Sequence, residues 1–289
     1  MKVHGLSLAK LEPPLLAVDD PDAMVWTDGA VVPPAIAKRV GEWCWFRMEG
    51  VATYRFPAES PELAVACVAQ PSEGSSRRTV VDGYYRIVVP LALQVYGLEA
   101  LHGTAVQTPA GAVALCGPSR TGKTTLAYVL AESGNRLVAD DGLVIDATTS
   151  SGPVTLRPIP FSVLLSDAVA ERFGFGEIEP DDRAGDWESP TPAPAVPLAA
   201  VVMLDRVDDG EIAIRRLAKT EAYTALLGRS YSFSLTDLGR KKRMLSAYAR
   251  LAGSVPVYYL TYPGGWGRLA ATAAAIEELA SSPPESHQQ

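Results

Sequence analysis

Cysteine and histidine are scarce in this chain, with three of each. Cys44, Cys67 and Cys116 are too scattered for a zinc site or a dense disulfide framework. His4, His102 and His287 are equally dispersed and define no metal site. Reduced thiols in a cytoplasmic setting are the expectation. Long apolar runs are also missing. No uncharged stretch reaches the ~18 residues that a membrane span needs, and the opening segment meets Glu12-Pro13-Pro14 too early for a signal peptide. Basic charge falls short of acidic charge, 26 Lys and Arg against 33 Asp and Glu, for a formal net charge of −7. Such a surface repels a phosphate backbone, so nucleic acid is not an expected partner. What remains is ordinary globular composition: 289 residues, 47% hydrophobic and 20% charged. That suits one large domain, or a large domain with a smaller lobe.

Local patterning divides the chain. Residues 1–80 read as a mostly β lobe, with extended pieces at Leu15–Val18, Trp43–Phe46, Val51–Phe56 and Leu63–Val68, and a polar loop at Gln70–Arg78. Residues 81–280 read as a mixed α/β unit. It opens with a buried helix over Tyr84–Tyr96, stopped at Gly97. A strand over Leu98–Val106 and a turn at Thr108–Gly111 follow. Next come a strand at Gly111–Cys116, a helix over Lys123–Ser133, and a strand at Asn135–Ala139 that ends on Asp140-Asp141. Glu177–Pro197 is acidic and Pro-rich and reads as a surface excursion, either a lid or a solvated insertion. Leu198–Leu204 and Ile212–Leu217 read as neighbouring strands joined by a turn at Asp208-Asp209-Gly210. Helices follow over Thr220–Leu227 and Asp237–Leu251. Val255–Tyr262 is a strand whose Pro256 favours an edge or the start of the strand. A closing helix covers Arg268–Ala280, and residues 281–289 read as a disordered tail.

The chemistry concentrates at Gly117-Pro118-Ser119-Arg120-Thr121-Gly122-Lys123-Thr124, which satisfies G-x-x-x-x-G-K-[ST] in full. Such a loop wraps a polyphosphate with its backbone N–H groups turned inward, and Gly117 and Gly122 permit the close approach that a Cβ would forbid. Lys123 reaches the β and γ phosphates as a point charge. Thr124 offers its hydroxyl to Mg²⁺, and Thr125 follows on the same turn. The helix that starts here adds its N-terminal N–H groups and dipole. ATP and Mg²⁺ are therefore the expected ligands.

Asp140 and Asp141 follow close behind. One reading makes them functional, one carboxylate on Mg²⁺ and the other taking the proton from an attacking hydroxyl. The other reading is a turn, since Asp-Asp-Gly also spells one. His102 is a lone histidine at a strand end, structural or catalytic. Arg157 fits a phosphate contact or a surface charge. Arg240-Lys241-Lys242-Arg243 reads as a solvated helix face.

Taken together, His102-Gly103, the Gly117–Thr124 loop and Gly134-Asn135-Arg136-Leu137-Val138-Ala139-Asp140-Asp141 resemble the catalytic domain of HPr kinase/phosphorylase. The resemblance is specific over residues 98–146 and looser through the strands at Leu198–Leu204 and Val255–Tyr262. It implies a PEP-carboxykinase-related fold with a mixed β core carrying the P-loop, and ATP-dependent transfer to a Ser hydroxyl. It implies Lys123 on the β/γ phosphates, Thr124 on Mg²⁺, Asp140 as catalytic base, Asp141 assisting or binding metal, and His102 as a site neighbour. Departures are also visible. Thr125 stands where the family has Glu, Arg120 stands where relatives are small, and no Glu-x-Arg-Gly-x-Gly segment follows Asp141. These point away from HPr and toward the smaller HPr-kinase-like proteins, some of which modify the C-terminal Ser of lasso-peptide precursors. The expected partner is thus a peptide or small-protein phosphoacceptor, with no membrane and with homo-oligomerisation left open. A kinase for free serine or a similar metabolite, and a nucleotide-binding regulatory module without transfer activity, are the alternatives.

Overall fold

The computed structural model describes residues 4–8, 36–40, 42–57, 65–95, 97–148, 152–159, 161, 167–173, 194–230 and 238–281. The pieces at Leu15–Val18, most of the excursion at 177–197, the start of the helix expected from Asp237, and all but the first residue of the tail lie outside these residues.

The first five strands are β1 (His4–Leu8), β2 (Ile36–Val40), β3 (Trp43–Met48), β4 (Ala52–Pro57) and β5 (Val65–Pro71). They form one sheet in the order β1-β5-β4-β3-β2, antiparallel except where β1 runs beside β5. Period-2 alternation sends Cys44, Phe46, Met48, Ala52, Tyr54 and Phe56 to one face, where they are buried. That face packs on a helical segment made of α1 (Arg77–Gly83), a wide π-type turn over Tyr84–Val88, and α2 (Val89–Val95). The helix starts well before Tyr84, inside the stretch expected to be loop. Ser76 caps it by accepting the Thr79 N–H at 3.1 Å, a local signal hidden in a polar run. The same apolar cluster takes in Val144 from the larger sheet and Ile159 from the segment that follows residue 157.

The second sheet contains β6 (Glu99–Thr108), β7 (Gly111–Cys116), β8 (Arg136–Ala139), β9 (Gly142–Asp146), β10 (Thr155–Arg157), β11 (Val196–Val207), β12 (Ala213–Arg216) and β13 (Val257–Pro263). Its order is β10-β9-β6-β7-β11-β13-β12. β8 also pairs with β6, and β10 closes back onto β11. One face packs on α3 (Lys123–Glu132) and α7 (Trp266–Ser281), through Val113, Leu115, Leu126, Leu204 and Ile276. The other packs on α5 (Lys219–Leu227) and α6 (Leu238–Ser254), through Ala114, Cys116, Leu226, Tyr248 and Leu251. A short helix, α4, covers Asp167–Arg172. The architecture is mixed α/β, as expected. No described helix is long and apolar enough to cross a membrane.

Two further expectations are corrected, and the reading of Pro256 as the start of its strand holds. β12 does not neighbour β11: β13 lies between them, parallel to β11 and antiparallel to β12, so Asp208-Asp209-Gly210 is not a hairpin turn. The turn signal is local, whereas the strand that fills the gap comes from far along the chain. β13 is therefore interior, and Pro256 is tolerated because it precedes the ladder while its carbonyl accepts the Val201 N–H at 3.0 Å. Arg240 is not part of a solvated face. It is buried and forms a bidentate pair with Glu99 at 2.8 and 2.7 Å, while Lys241, Lys242 and Arg243 are exposed.

Candidate active site

β8 and β9 both run antiparallel to β6, β8 opposite Ala105–Gln107 and β9 opposite Glu99–His102. They are two halves of one course along β6, interrupted at Asp140-Asp141. The carboxylate pair follows the end of β8, as expected, and occupies a break in the ladder beside Gly103-Thr104. Breaks of this kind re-aim side chains next to functional sites. Asp141 has φ 66, and the only other non-glycine with positive φ among the described residues is Arg120, at φ 67. Left-handed backbone is uncommon for such residues and tends to cluster at functional sites. Here one lies in the Gly117–Gly122 loop and the other in the carboxylate pair between β8 and β9.

The loop Gly117–Gly122 leaves the C-terminal end of β7 and enters α3. Gly122 has φ +86, and a Cβ there would lie 2.5 Å from the Tyr262 hydroxyl, so backbone and space both demand glycine. Tyr262 donates to the Thr121 carbonyl and clamps the loop from β13. Burial pushes the Tyr262 phenol up to about 12, so it stays a donor. Thr121 also closes the loop internally, donating to the Pro118 carbonyl at 2.8 Å. Pro118, Ser119 and Arg120 are exposed at the tip. No side chain caps α3 at Gly122, which leaves its first N–H groups for an anion. Lys123 is buried and folds back, donating to the Gly117 and Pro118 carbonyls at 2.9 Å each. Thr125 is half-buried on the first turn of the helix.

Thr124 faces the break. Its hydroxyl donates to Asp140 Oδ1 at 2.9 Å, and the buried Thr104 donates to the same oxygen at 2.6 Å. Oδ2 of Asp140 takes no hydrogen bond from a described residue. Burial raises the Asp140 pKa above the ordinary carboxylate value. The two hydroxyls pull it down, Asp141 adds to the rise, and Arg86 opposes it. Asp141 is held from two sides. Arg86 Nη1 lies 3.2 Å from its Oδ2, and His102 Nδ1 lies 3.4 Å from Oδ1 and 3.1 Å from its carbonyl oxygen.

The structure joins Thr124 to Asp140 and His102 to Asp141, with Lys123 folded onto the Gly117 and Pro118 carbonyls. Arg157 is not among them. It sits on β10 and pairs with Asp146 at 3.0 Å. Sequence reasoning missed Arg86, Thr104 and Tyr262. Thr104 carried a signal, a polar residue two positions beyond His102 in an otherwise apolar strand. Arg86 carried a weaker one, a lone cation in an apolar helical stretch. The π-type turn carries Arg86 on the helical segment that faces Asp141, and such turns recur at functional sites.

Thr124 Oγ1 beside a carboxylate oxygen is a hard-oxygen donor set, and it suits Mg²⁺, which takes one or two protein oxygens together with phosphate and water. Among the described residues no group of three or more His, Cys, Asp or Glu side chains is placed to hold a metal by itself.

No protein-family model and no curated protein matches the sequence. Among solved structures, the chain is similar to the Hpr(Ser) kinase/phosphatase from Coxiella burnetii, with a TM-score of 0.32 and 13% identity over 62% of this chain and 92% of that one. A likeness of that size carries no weight for activity, and the functional reading rests on the site itself.

Proposed function

We propose that the protein is an ATP- and Mg²⁺-dependent kinase that transfers the γ-phosphoryl group to a Ser or Thr hydroxyl of a peptide or small protein. The observation that carries this reading is the Thr104–Asp140–Thr124 array at the head of α3. It places a buried carboxylate, held only by hydroxyls, beside a glycine-framed loop that ends in a lysine and an uncapped helix.

Each side chain has a task. The loop N–H groups and the α3 terminus bind the phosphates. Lys123 exchanges its two carbonyl partners for phosphate oxygens, a stronger charge-assisted contact. Thr124 and Asp141 would hold Mg²⁺, which would supply charge neutralisation on the bound phosphates. Asp140 accepts the proton of the incoming hydroxyl, favoured by a pKa that burial lifts toward the working range. Arg86 and His102 fix Asp141 so that its charge stays next to Asp140. The acceptor class follows from the family resemblance, as does its narrowest form, the C-terminal Ser of a lasso-peptide precursor.

The test is transfer of labelled phosphate from ATP to candidate peptides. Asp140→Asn should lower the rate by about 10²–10⁴-fold while Mg·ADP still binds. Undiminished transfer by that variant would remove Asp140 from the mechanism. Binding without acceptor-dependent turnover in the wild type would favour a regulatory module, and turnover on free serine would favour a metabolite kinase.

A further inference from the structure

An exposed indole stands at the same edge of the sheet as the phosphate loop. β7, β11 and β13 are parallel neighbours, so their carboxyl ends lie side by side. The loop leaves the end of β7, and residues 264–265 join the end of β13 to α7. These ends meet one another. A Cβ at Gly117 would lie 2.8 Å from the Leu204 carbonyl, the Gly264 N–H donates to the Val207 carbonyl at 2.9 Å, and Tyr262 donates to the Thr121 carbonyl. α3 and α7 therefore both start at this edge, and they pack on the same face of the sheet. They run side by side: Asn135, just past the end of α3, donates to Glu277, near the end of α7, at 2.6 Å.

Trp266 is the first residue of α7 and is 46% exposed. Helical spacing fixes where it points. Leu269, Ala273, Ile276 and Ala280 form the stripe that α7 buries against the sheet and α3, and Trp266 continues that stripe one turn back. Helical side chains lean toward the helix N-terminus, so the indole projects beyond the strand ends, on the side of the sheet where the loop enters α3. It is exposed because the sheet stops beneath it. Its neighbours keep the surrounding space clear. Gly264, Gly265 and Gly267 flank it, Gly265 has φ +107, and a Cβ at Gly265 or Gly267 would meet no described atom within 4 Å. Arg206 lies near the end of β11, the strand between β7 and β13. It is exposed, and its Nε would lie 3.7 Å from a Cβ at Gly264.

Direction supplies the chemistry. The γ end of a polyphosphate in the loop has to face Asp140, which is held against β6 on one side of β7. β11 and β13 lie on the other side of β7. The nucleoside is therefore directed along the strand ends toward α7, with the Arg206 cation on its path. From β7 to β13 is two strand spacings, about 10 Å, within reach of a base from its β-phosphate. An aromatic ring is a general platform for a base, since every base has a π-face. We propose that Trp266 stacks on the base of the bound nucleotide, and that the glycines around it keep that face open. The proposal rests on the phosphotransfer reading above and assigns its nucleotide a base subsite.

The test compares Mg·ADP with Mg·pyrophosphate, which has the two phosphates and lacks the base, by calorimetry on the wild type, Trp266→Ala and Trp266→Phe. Trp266→Ala should weaken Mg·ADP by about 5- to 100-fold, the scale of one base stacked on an aromatic side chain, and leave Mg·pyrophosphate unchanged. Trp266→Phe should keep most of the ADP affinity while abolishing the change in tryptophan emission that ADP produces in the wild type. Undiminished ADP affinity in Trp266→Ala overturns the proposal. Equal weakening of both ligands with circular dichroism intact also overturns it, since Trp266 would then shape the loop rather than meet a base. Should Trp266→Ala not fold, Trp266→Phe decides: a full wild-type emission change persisting in that variant overturns the proposal. A wild type that binds neither ligand fails the nucleotide reading itself, and the base subsite with it.

Discussion

Two carboxylates lie buried along β6, and the chain treats them in opposite ways. Glu99 at the start of the strand is matched by Arg240 in a bidentate pair. Asp140, held against Thr104 farther along, is met by hydroxyls alone, with a second acidic residue next to it. Burial raises the pKa of both. At Glu99 the pull back comes from a guanidinium, whereas at Asp140 it comes from two neutral donors. A closed pair leaves no valence for a ligand. Its service is to tie α6 to β6, helped by Tyr248, which donates to the Ala100 carbonyl at 2.7 Å. An under-compensated carboxylate is poor for stability and useful for chemistry, because its charge is still available to a metal or a proton.

The sharpest way to break this contrast is to remove the cation from the closed pair. Arg240→Leu strands Glu99 without a partner and should cost about 3–5 kcal/mol in denaturant unfolding. Changing Glu99 to Leu as well should recover most of that loss, since an apolar replacement of a whole buried pair is often neutral. If Arg240→Leu unfolds like the wild type, the pair is not the fastener described.

Asp140→Asn should behave differently. Its folded pKa is raised, so its contribution to stability is fully present below the unfolded value and is lost as pH rises through the folded one. At pH 7 the charge opposes folding, and the asparagine variant should melt no lower than the wild type. Its advantage should shrink as the pH is lowered toward the ordinary carboxylate range. A clear fall in Tm at pH 7 would place Asp140 with Glu99 as a structural group.

The smallest effect is expected at Thr104, whose hydroxyl favours the ionised form of Asp140. Thr104→Val removes that pull and lets burial raise the pKa further. The acid limb of the kcat profile should then move to higher pH, read from phosphate transfer or from ATP hydrolysis alone. An unmoved limb would detach Thr104, or Asp140, from the rate.

Much of the candidate site was legible in the sequence because its information is local. The Gly117–Thr124 spacing, the helix that follows and the tandem Asp140-Asp141 all lie within one short segment. His102-Gly103 was read as a strand end but lies within β6, and the structure gives its glycine a reason. A Cβ at Gly103 would lie 2.6 Å from the Leu115 carbonyl, so only glycine lets β6 pass this close to β7. The misreadings involve distant partners. Arg240 looked solvated because its neighbours are basic, yet its partner is on β6. Ile212–Leu217 looked like a hairpin arm because the turn is local and β13 is not.

The sequence by itself determined that a loop with the spacing of a phosphate-binding loop precedes a pair of carboxylates, because a fixed backbone wrap needs fixed residue types at fixed intervals. It also determined the order of strand, loop, helix and strand that carries them. Only the tertiary structure decided that the pair sits in a break along β6, that Thr104 and Thr124 share one oxygen of Asp140, and that Arg86 guards Asp141 while Arg240 serves Glu99. The reason is that a buried carboxylate's behaviour depends on which donors and charges the fold brings within a few ångströms. Residues far apart in the chain supply most of those groups, and their proximity exists only once the sheet has formed.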